Sequence, residues 1–268
     1  MSTERPGWAP EDIDLERPNA ARVYDYLLGG MANFAKDREF AEKLIEIAPD
    51  AQTIARLNRA FLRRAVKFCL DNGIRQFLDI GSGIPTAGNV HEIVQRIDPS
   101  ARVLYVDVEP VAVAHTELML TDNENAAIVH GNLLEPDAVL SSSAASRLLN
   151  FDEPIAVLIV AVLHFLGDDT APHAAVARYV DAVAPGSYLV ISHVMAEDTA
   201  EQAQARTHYQ KSATFLAGRT REQLTAFFAG TEIVEPGVVW LPQWHPEAPD
   251  DAEEPQRSKA IGGVGRKP

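Results

Sequence analysis

The residues best suited to chemistry are two aspartates and a glycine turn that lie where apolar segments of the chain end. Asp79 lies within the segment 77–80, and the turn Gly81-Ser82-Gly83 comes directly after it. A second apolar segment, 102–106, ends at Asp107, at roughly the 20-residue offset typical of an acid that contacts a ribose. A strand that ends in a glycine turn before a helix brings backbone N–H groups close to a ligand. The pattern therefore predicts a site for an adenosine-containing ligand at the carboxyl edge of a parallel sheet.

The spacing of the glycines distinguishes between the possible ligands. A dinucleotide site reads G-x-G-x-x-G, but Thr86 occupies the third glycine position here and Gly88 comes two residues later. A phosphate-binding P-loop would need Gly-Lys-Ser/Thr after the turn, and the sequence has none there. S-adenosylmethionine (SAM) has no phosphate and needs only a close backbone approach, for which two glycines suffice. We therefore predict SAM as the ligand, with NAD as the alternative.

The composition limits the classes of function. The 268 residues are 46% hydrophobic, which suits one α/β domain with an added segment, or two small domains. The single cysteine, Cys69, excludes an internal disulfide and a multi-cysteine metal site, and the histidines lack metal-binding spacing. The net charge of −14 argues against a nucleic-acid partner, because phosphate binding requires a basic surface. We therefore expect no metal, and a small molecule or a protein as the substrate.

The sequence also bears on location. The first residues lack the basic and then apolar layout of a signal peptide. The longest apolar run, Ile155–Leu163, is too short to span a bilayer. These features predict a cytoplasmic protein without a membrane partner.

Hydrophobic periodicity divides the chain into four parts. Residues 1–16 are polar and proline-rich, and we expect a flexible N-terminal segment. Residues 17–72 have helical periodicity and form a predicted N-terminal helical cap, with Asn19 and Asp37 as candidate helix caps. Residues 73–245 are the predicted SAM-binding core, which includes a helical insert at 199–216. Residues 246–268 are predicted to be a polar C-terminal tail.

The predicted core alternates strands with helices, which is typical of a parallel sheet. Seven strands are predicted, near residues 77–80, 102–106, 127–130, 155–163, 188–194, 231–234 and 238–241. The fourth is apolar throughout, so it should be buried on both faces. The last two form a predicted antiparallel pair, which matches methyltransferases better than dehydrogenases. The expected fold is α/β and Rossmann-like, with helices on both faces of a seven-stranded sheet.

Several short motifs carry a resemblance to a known family. They are Arg22–Gly30, Asn58–Arg64, Gln76–Gly83, Tyr105–Asp107, Ala161–Phe165 and Val234–Gly237. With these motifs in this order, residues 17–245 resemble the SAM-dependent methyltransferase family typical of actinobacteria, long known as a domain of unknown function. The resemblance implies a class I methyltransferase fold with an N-terminal helical addition and SAM as the cofactor.

The resemblance also assigns residues to the cofactor. Asp79, Gly81 and Gly83 match the loop on the methionine side of SAM, and Asp107 matches the ribose acid. Asn132 stands where such enzymes often have an aspartate that binds the adenine amino group, and an amide oxygen can still accept there. The cofactor-binding set predicted from these matches and their neighbours is Asp79, Gly81, Ser82, Gly83, Asp107, Val108, Asn132 and Leu133.

Candidate residues for the acceptor side lie after strands four and five. His164 comes directly after strand four and is the candidate general base, because histidine titrates near neutral pH. The alternative is a structural histidine that bonds a loop carbonyl. His193, near the end of strand five, is a second candidate contact. Tyr24 on the first helix is a candidate lid residue, and Tyr209 in the insert is a candidate acceptor contact.

Together these features predict a SAM-dependent methyltransferase that acts on an unidentified small-molecule acceptor. The alternative is a SAM-binding sensor or scaffold without catalysis, which would keep the glycine turn and need no base. An NAD oxidoreductase is disfavoured by Thr86 and by the terminal strand pair.

Overall fold

The predicted α/β fold is confirmed, with eight strands in place of seven. The computed structural model describes residues 13–86, 88–197, 199–212 and 215–268. Within these ranges the strands are β1 (Gln76–Ile80), β2 (Arg102–Asp107), β3 (Ala126–His130), β4 (Ala156–Val160), β5 (Tyr188–Val194), β6 (Glu232–Ile233), β7 (Val239–Trp240) and β8 (Ala260–Arg266). They form one sheet in the order β3-β2-β1-β4-β5-β8-β6, and β7 also pairs with β8.

Helices cover both faces of this sheet. In the described ranges they are α1 (Ala20–Leu27), α2 (Ala35–Ile47), α3 (Ala51–Asp71), α4 (Val90–Ile97), α5 (Pro110–Met119), α6 (Pro136–Leu140), α7 (Ser143–Leu148), α8 (Pro172–Ala182), α9 (Ala200–Lys211) and α10 (Arg221–Thr225). Successive β1 residues enter different cores, with Phe77 on one face and Leu78 on the other. This alternation is the period of a strand buried on both sides. No helix in the described part of the chain is long and apolar enough to cross a bilayer.

The parallel strands bring their carboxyl ends to one edge. Strands β1 to β5 run parallel to one another, and the last residue of β1, Ile80, lies opposite Val106 of β2. The Gly81 N–H donates to the Val106 carbonyl at 2.7 Å, which fixes the start of the glycine turn beside the end of β2. The loops after these strands therefore share one edge of the sheet, where open α/β folds bind ligands.

The C-terminal segment is part of the sheet, so the prediction of a polar tail over 246–268 is wrong for 260–266. Strand β8 pairs antiparallel with β5 from Tyr188↔Arg266 to Val194↔Ala260. The glycines of β8 leave space for side chains of neighbouring elements, since a Cβ on Gly262 would lie 2.9 Å from the Phe61 ring. Strands β6 and β7 each pair with β8 rather than with one another.

Helices α1 to α3 form a unit that we call the cap. Helix α1 packs against α2 and α3, and the second half of α3 continues onto one face of the sheet, where Phe61 and Ala65 join the core beside Phe77. Asn19 caps α1 as predicted, because its side chain accepts from the Ala21 N–H. Helix α2 begins at Ala35, so Asp37 is not its N-cap; the Asp37 carboxylate instead accepts from the N–H groups of Phe34 and Asn19. Residues 1–12 of the predicted flexible segment 1–16 lie outside the described residues.

Candidate cofactor and acceptor site

A cavity of about 420 Å³ lies between the carboxyl edge of the sheet and the cap. All twelve residues predicted from the sequence border it, namely Tyr24, Asp79, Gly81, Ser82, Gly83, Asp107, Val108, Asn132, Leu133, His164, His193 and Tyr209. The fold thus brings together residues that are far apart in the sequence. Their individual roles stay predictions.

The glycine turn is shaped by two different constraints. Gly81 has φ of +71°, and a Cβ there would lie 2.3 Å from the Val162 side chain, so a larger residue would push away the loop after β4. Gly83 has φ of +68° and no atom within 4 Å of an added Cβ. Glycine at this second position provides the left-handed conformation and leaves the space above the turn open.

Asp107 connects the glycine turn with the end of β2. Its Oδ2 accepts from the Gly83 N–H at 2.7 Å, and its Oδ1 accepts from the Glu109 N–H at 2.8 Å. Burial raises the pKa of the Asp107 carboxyl, although both of these hydrogen bonds oppose the shift. Each carboxylate oxygen keeps a second lone pair, so the group can still accept from a ligand hydroxyl.

The next residues provide an apolar wall and an amide. Val108 is 62% exposed, which is unusual for a valine that borders a cavity. Leu133 is buried in the middle of the loop between β3 and α6. The Asn132 Oδ1 accepts from the Leu134 N–H at 3.0 Å, which fixes the orientation of its amide. A flat ring could therefore be held between apolar side chains with an amide at its rim.

Asp79 is buried in the cavity wall beneath the glycine turn. Burial raises its pKa to about 7; the positive charge of Arg59 opposes the shift and the negative charge of Asp107 adds to it. A carboxyl group with such a pKa is poised to ionise when a cation approaches. Arg59 of α3 also borders the cavity, and its distance in the sequence from the strand ends left no signal that it belongs to the site.

The loop after β4 presents His164. Strand β4 ends at Val160, earlier than predicted, and Ala161 comes next with φ of +59°. The Ala161 N–H donates to the Ser192 hydroxyl at 3.0 Å, which holds this uncommon conformation. A short 3-10 turn, Leu163–Phe165, then carries His164.

His164 is held neutral in this environment. It is 7% exposed, and burial lowers its pKa well below the usual value, with further contributions from His193 and Arg219. Its Nδ1 is buried and has no hydrogen-bond partner among the described residues. The imidazole packs edge-on against Phe165, with ring centroids 4.3 Å apart. The imidazole therefore does not titrate near neutral pH as the sequence suggested; it is uncharged and a weaker base than an exposed histidine.

His193 borders the same cavity, but both of its nitrogens are engaged within the protein. Its Nε2 lies 2.7 Å from Nη1 of Arg219, and a guanidinium can only donate. The Nδ1 therefore carries the proton and donates to the Val194 carbonyl at 2.7 Å. Burial and Arg219 lower its pKa to about 4. The His193 ring lies edge-on to the His164 ring, with ring centroids 5.5 Å apart.

A hydrogen-bonded chain that the sequence did not predict links the cap to β5. The Ser192 hydroxyl donates to Asn58 Oδ1 at 2.6 Å, and Asn58 Nδ2 donates to the Tyr24 hydroxyl at 2.9 Å. Tyr24 in turn donates to the Ala55 carbonyl at 3.1 Å. One signal was present in the sequence, because Asn58 is a polar residue on the apolar face of α3, in line with Phe61.

Tyr209 closes the side of the cavity that faces α9. It is 9% exposed, and burial raises its pKa. Its ring packs edge-on against the Phe40 ring of α2, with centroids 5.1 Å apart, and its centroid lies 5.9 Å from that of the Phe165 ring.

In the described part of the chain, no group of three or more His, Cys, Asp or Glu side chains is arranged to hold a metal ion.

Comparison with known proteins agrees with this geometry. A model of the S-adenosyl methyltransferase family matches residues 6–268. A Thermobifida fusca YX protein, solved as a presumed methyltransferase, is 36% identical over 97% of this chain and 99% of its own, with a TM-score of 0.90. A DUF574 family protein from Streptomyces avermitilis MA-4680 is 34% identical over 95% and 99% of the two chains, also with a TM-score of 0.90. A search of curated proteins gives no match. The chain therefore belongs to the S-adenosyl methyltransferase family and is a SAM-dependent methyltransferase of the class I fold.

Proposed function

We propose that the protein methylates a small molecule that is enclosed between the sheet edge and the cap. The observation that carries the proposal is the continuity of the cavity, which runs from the glycine turn to Tyr209 beneath the cap. A pocket of this size and enclosure suits a small molecule. The net charge of −14 is unfavourable for a nucleic-acid acceptor.

The residues at the glycine turn fit SAM in chemistry and space. Gly81 and Gly83 would allow its methionine part to approach the backbone, and Asp79 would face its positive charges. Asp107 would accept from the ribose hydroxyls, and Asn132 would contact the adenine. The exposed Val108 and the buried Leu133 would lie against the adenine ring, which accounts for the exposure of Val108. The Ser82 hydroxyl, buried without a partner among the described residues, is available as a further contact.

The main task of the protein in this reaction is to position the acceptor. SAM supplies a methyl group bound to a sulfonium sulfur, and the sulfur leaves readily as a neutral thioether. The protein must hold the acceptor in line with that methyl group and exclude water. His164 would take the proton of the acceptor, and its neutral imidazole, buried beside Phe165, is in the protonation state that a base needs.

Fractionation of a cell extract tests this proposal. The purified protein is incubated with SAM and either the low-molecular-weight fraction or the macromolecular fraction, and S-adenosylhomocysteine (SAH) formation is measured. We expect SAH to form with the low-molecular-weight fraction and the methylated product to be recovered there by mass spectrometry. Turnover that requires the protein or nucleic-acid fraction would contradict the proposal.

A further inference from the structure

The part of the cavity beneath the cap is apolar. Its wall includes Leu27 of α1, Leu44 of α2, Ile54 and Ala55 of α3, Phe165, and Tyr209 of α9. We call this part the acceptor chamber. Its side chains come from elements that are separate in the sequence, so the chamber exists only when the cap is docked. Apolar walls of this kind bind a ligand by burying its apolar surface.

Charged side chains border the cavity at two other places. One group, Arg59, Asp79, Asp107 and Glu109, lies at the cofactor edge. The other consists of Glu197, Glu201 and Lys259, in which the lysine Nζ lies 3.7 and 3.6 Å from the two carboxylates. The chamber itself therefore offers a charged ligand no counter-charge among its described residues, and burial of an unpaired charge is costly.

Helix α9 shows which end of the cavity is polar. Glu201, Ala205 and Tyr209 are four residues apart and all border the cavity, so they lie on one stripe of the helix. The Glu201 side chain is 36% exposed, whereas Tyr209 is 9% exposed. The stripe thus leads from the partly exposed carboxylate of Glu201 to the buried ring of Tyr209. The charged side chains therefore lie at the outer, more exposed end of the cavity.

Few polar groups remain in the chamber for the ligand. The Tyr24 hydroxyl already donates to the Ala55 carbonyl and accepts from Asn58. Both nitrogens of His193 are engaged. His164 remains, beside the ring of Phe165. A ligand that matches this chamber has one polar group to place at His164 and a ring to pack against Phe165 and Tyr209.

We propose that the methyl acceptor is an uncharged, ring-bearing, largely apolar molecule whose nucleophile is a hydroxyl group placed at His164. This inference rests on the proposed function. The acceptor oxygen forms a bond to the methyl carbon as the carbon–sulfur bond breaks, and sulfur keeps that electron pair. The hydroxyl proton passes to the His164 imidazole, so the products are a neutral methyl ether, neutral SAH and an imidazolium that later loses its proton to water. Because the oxygen becomes strongly acidic as its new bond forms, a weakly basic imidazole suffices.

Three ring compounds of matched size test the acceptor class on the wild-type protein. The protein is saturated with SAH, and 2-naphthol, 2-naphthoate and 2-naphthylmethylammonium are titrated by calorimetry at pH 7. We expect the neutral naphthol to bind roughly tenfold or more tightly than either charged compound. If a charged compound binds as tightly, or if naphthol does not bind to the SAH-saturated protein, the inference is wrong while the cofactor assignment stands. Failure to bind SAH would contradict the proposed function, and this inference with it.

A pair of substitutions on one helix locates the binding. Ala205→Phe would fill the chamber from α9, and Ala203→Phe makes the same change on the exposed side of that helix. We expect Ala205→Phe to weaken naphthol binding roughly tenfold or more, with SAH affinity within about twofold of the wild type. Ala203→Phe should change neither affinity. Equal naphthol binding by both variants would place the ligand outside the chamber and overturn the inference; the titrations of the wild-type protein do not depend on either variant.

Discussion

Asp79 and Asp107 place two buried carboxyl groups in one wall of the cavity, and burial raises the pKa of both. Each group therefore holds its proton more tightly in the free protein than it would in water. The consequence is larger for Asp79, because its pKa of about 7 means that it changes its charge near neutral pH. Binding of a cationic ligand favours the ionised carboxylate and so drives out that proton.

SAM affinity should depend on the ionisation of Asp79. Below its pKa of about 7 the free protein is protonated at this residue, and binding must release the proton, so SAM should bind more weakly as the pH falls. We expect the affinity to rise between pH 6 and pH 8, by at most about tenfold per pH unit. Asp79→Asn should flatten the profile. Calorimetry at several pH values would measure both, and parallel profiles for the two proteins would contradict the assignment.

Asp107 should contribute to affinity through the charge of its carboxylate. If it accepts from both ribose hydroxyls, Asp107→Ala should cost ~1.5–3 kcal/mol, which is about 10- to 150-fold in the SAM dissociation constant. The change also removes the acceptor of the Gly83 N–H, which loosens the turn. Asp107→Asn keeps the shape of the side chain and one acceptor oxygen, so its SAM affinity should lie between those of the wild type and Asp107→Ala. SAM affinity is measured by titration calorimetry, on variants that keep the wild-type melting temperature without ligand. Unchanged affinity of Asp107→Ala would show that the ribose lies elsewhere.

At the residue scale, the sequence predicted the side chains that stand at or near strand ends. Asp79, Asp107 and His164 lie within or immediately beside apolar runs, so their common edge could be inferred from local pattern. Asn58 could not be found in this way, because its contact with Ser192 joins residues 134 positions apart. Lys259 was assigned to a tail, so its place on the cavity wall was also missed.

At the scale of elements, a buried carboxylate connects the cap to the loop that follows the glycine turn. Asp25 of α1 accepts from the Ala32 N–H and from the Asn33 side chain through Oδ2, and from the Thr86 hydroxyl through Oδ1. A Cβ on Gly30 would lie 2.0 Å from Asp25 Oδ1, so glycine is needed there for this arrangement. The position of α1 thus depends on the loop that comes after the glycine turn.

Binding of SAM should therefore stabilise the cap. Amide hydrogen exchange in residues 19–36 should slow when SAM binds, because the ligand orders the loop that carries Thr86. Thr86→Val removes the hydroxyl that bonds Asp25 and should reduce this protection. Thr121→Val, at a hydroxyl that bonds only carbonyls within its own turn, is the control. Unchanged exchange over 19–36 with SAM bound would show that the cap is structural only.

The elements themselves were predicted where periodicity is strong. Strands β1 to β5 were all found, and β5 was predicted with the bounds observed. Strand β8 was missed because the glycines of its segment, 260–266, are typical of a linker. Those glycines are required by packing, since a Cβ on Gly265 would lie 2.2 Å from the Thr231 hydroxyl. Such a requirement depends on the neighbours that the fold supplies and leaves no local signal.

At the scale of the whole molecule, β8 joins the end of the chain to the sheet, between the parallel strands and the short edge strand β6. It pairs with β5, β6 and β7, and Lys267 next to it donates to the carbonyls of Val180 and Val183 at the end of α8. Removal of residues 260–268 would expose an edge of β5 and unpair two short strands.

We expect this deletion to abolish cooperative unfolding, as measured by circular dichroism on heating. Lys267→Met is a milder change, which keeps much of the side chain and loses the contacts to α8. It should lower the free energy of unfolding by about 1–3 kcal/mol in urea titrations. A truncated protein that melts cooperatively at the wild-type temperature would contradict this contribution of β8 to stability.

We propose that the cavity holds SAM at the glycine turn and an acceptor at His164. The most direct test is His164→Ala, with SAM affinity and turnover measured on the same preparation and with the low-molecular-weight fraction as the acceptor source. SAM affinity should stay within about twofold, while turnover should fall by roughly 10²–10⁴. The variant must keep the wild-type melting temperature. Turnover at the wild-type rate would contradict the assignment of His164 as the base, because the acceptor would then react without the histidine.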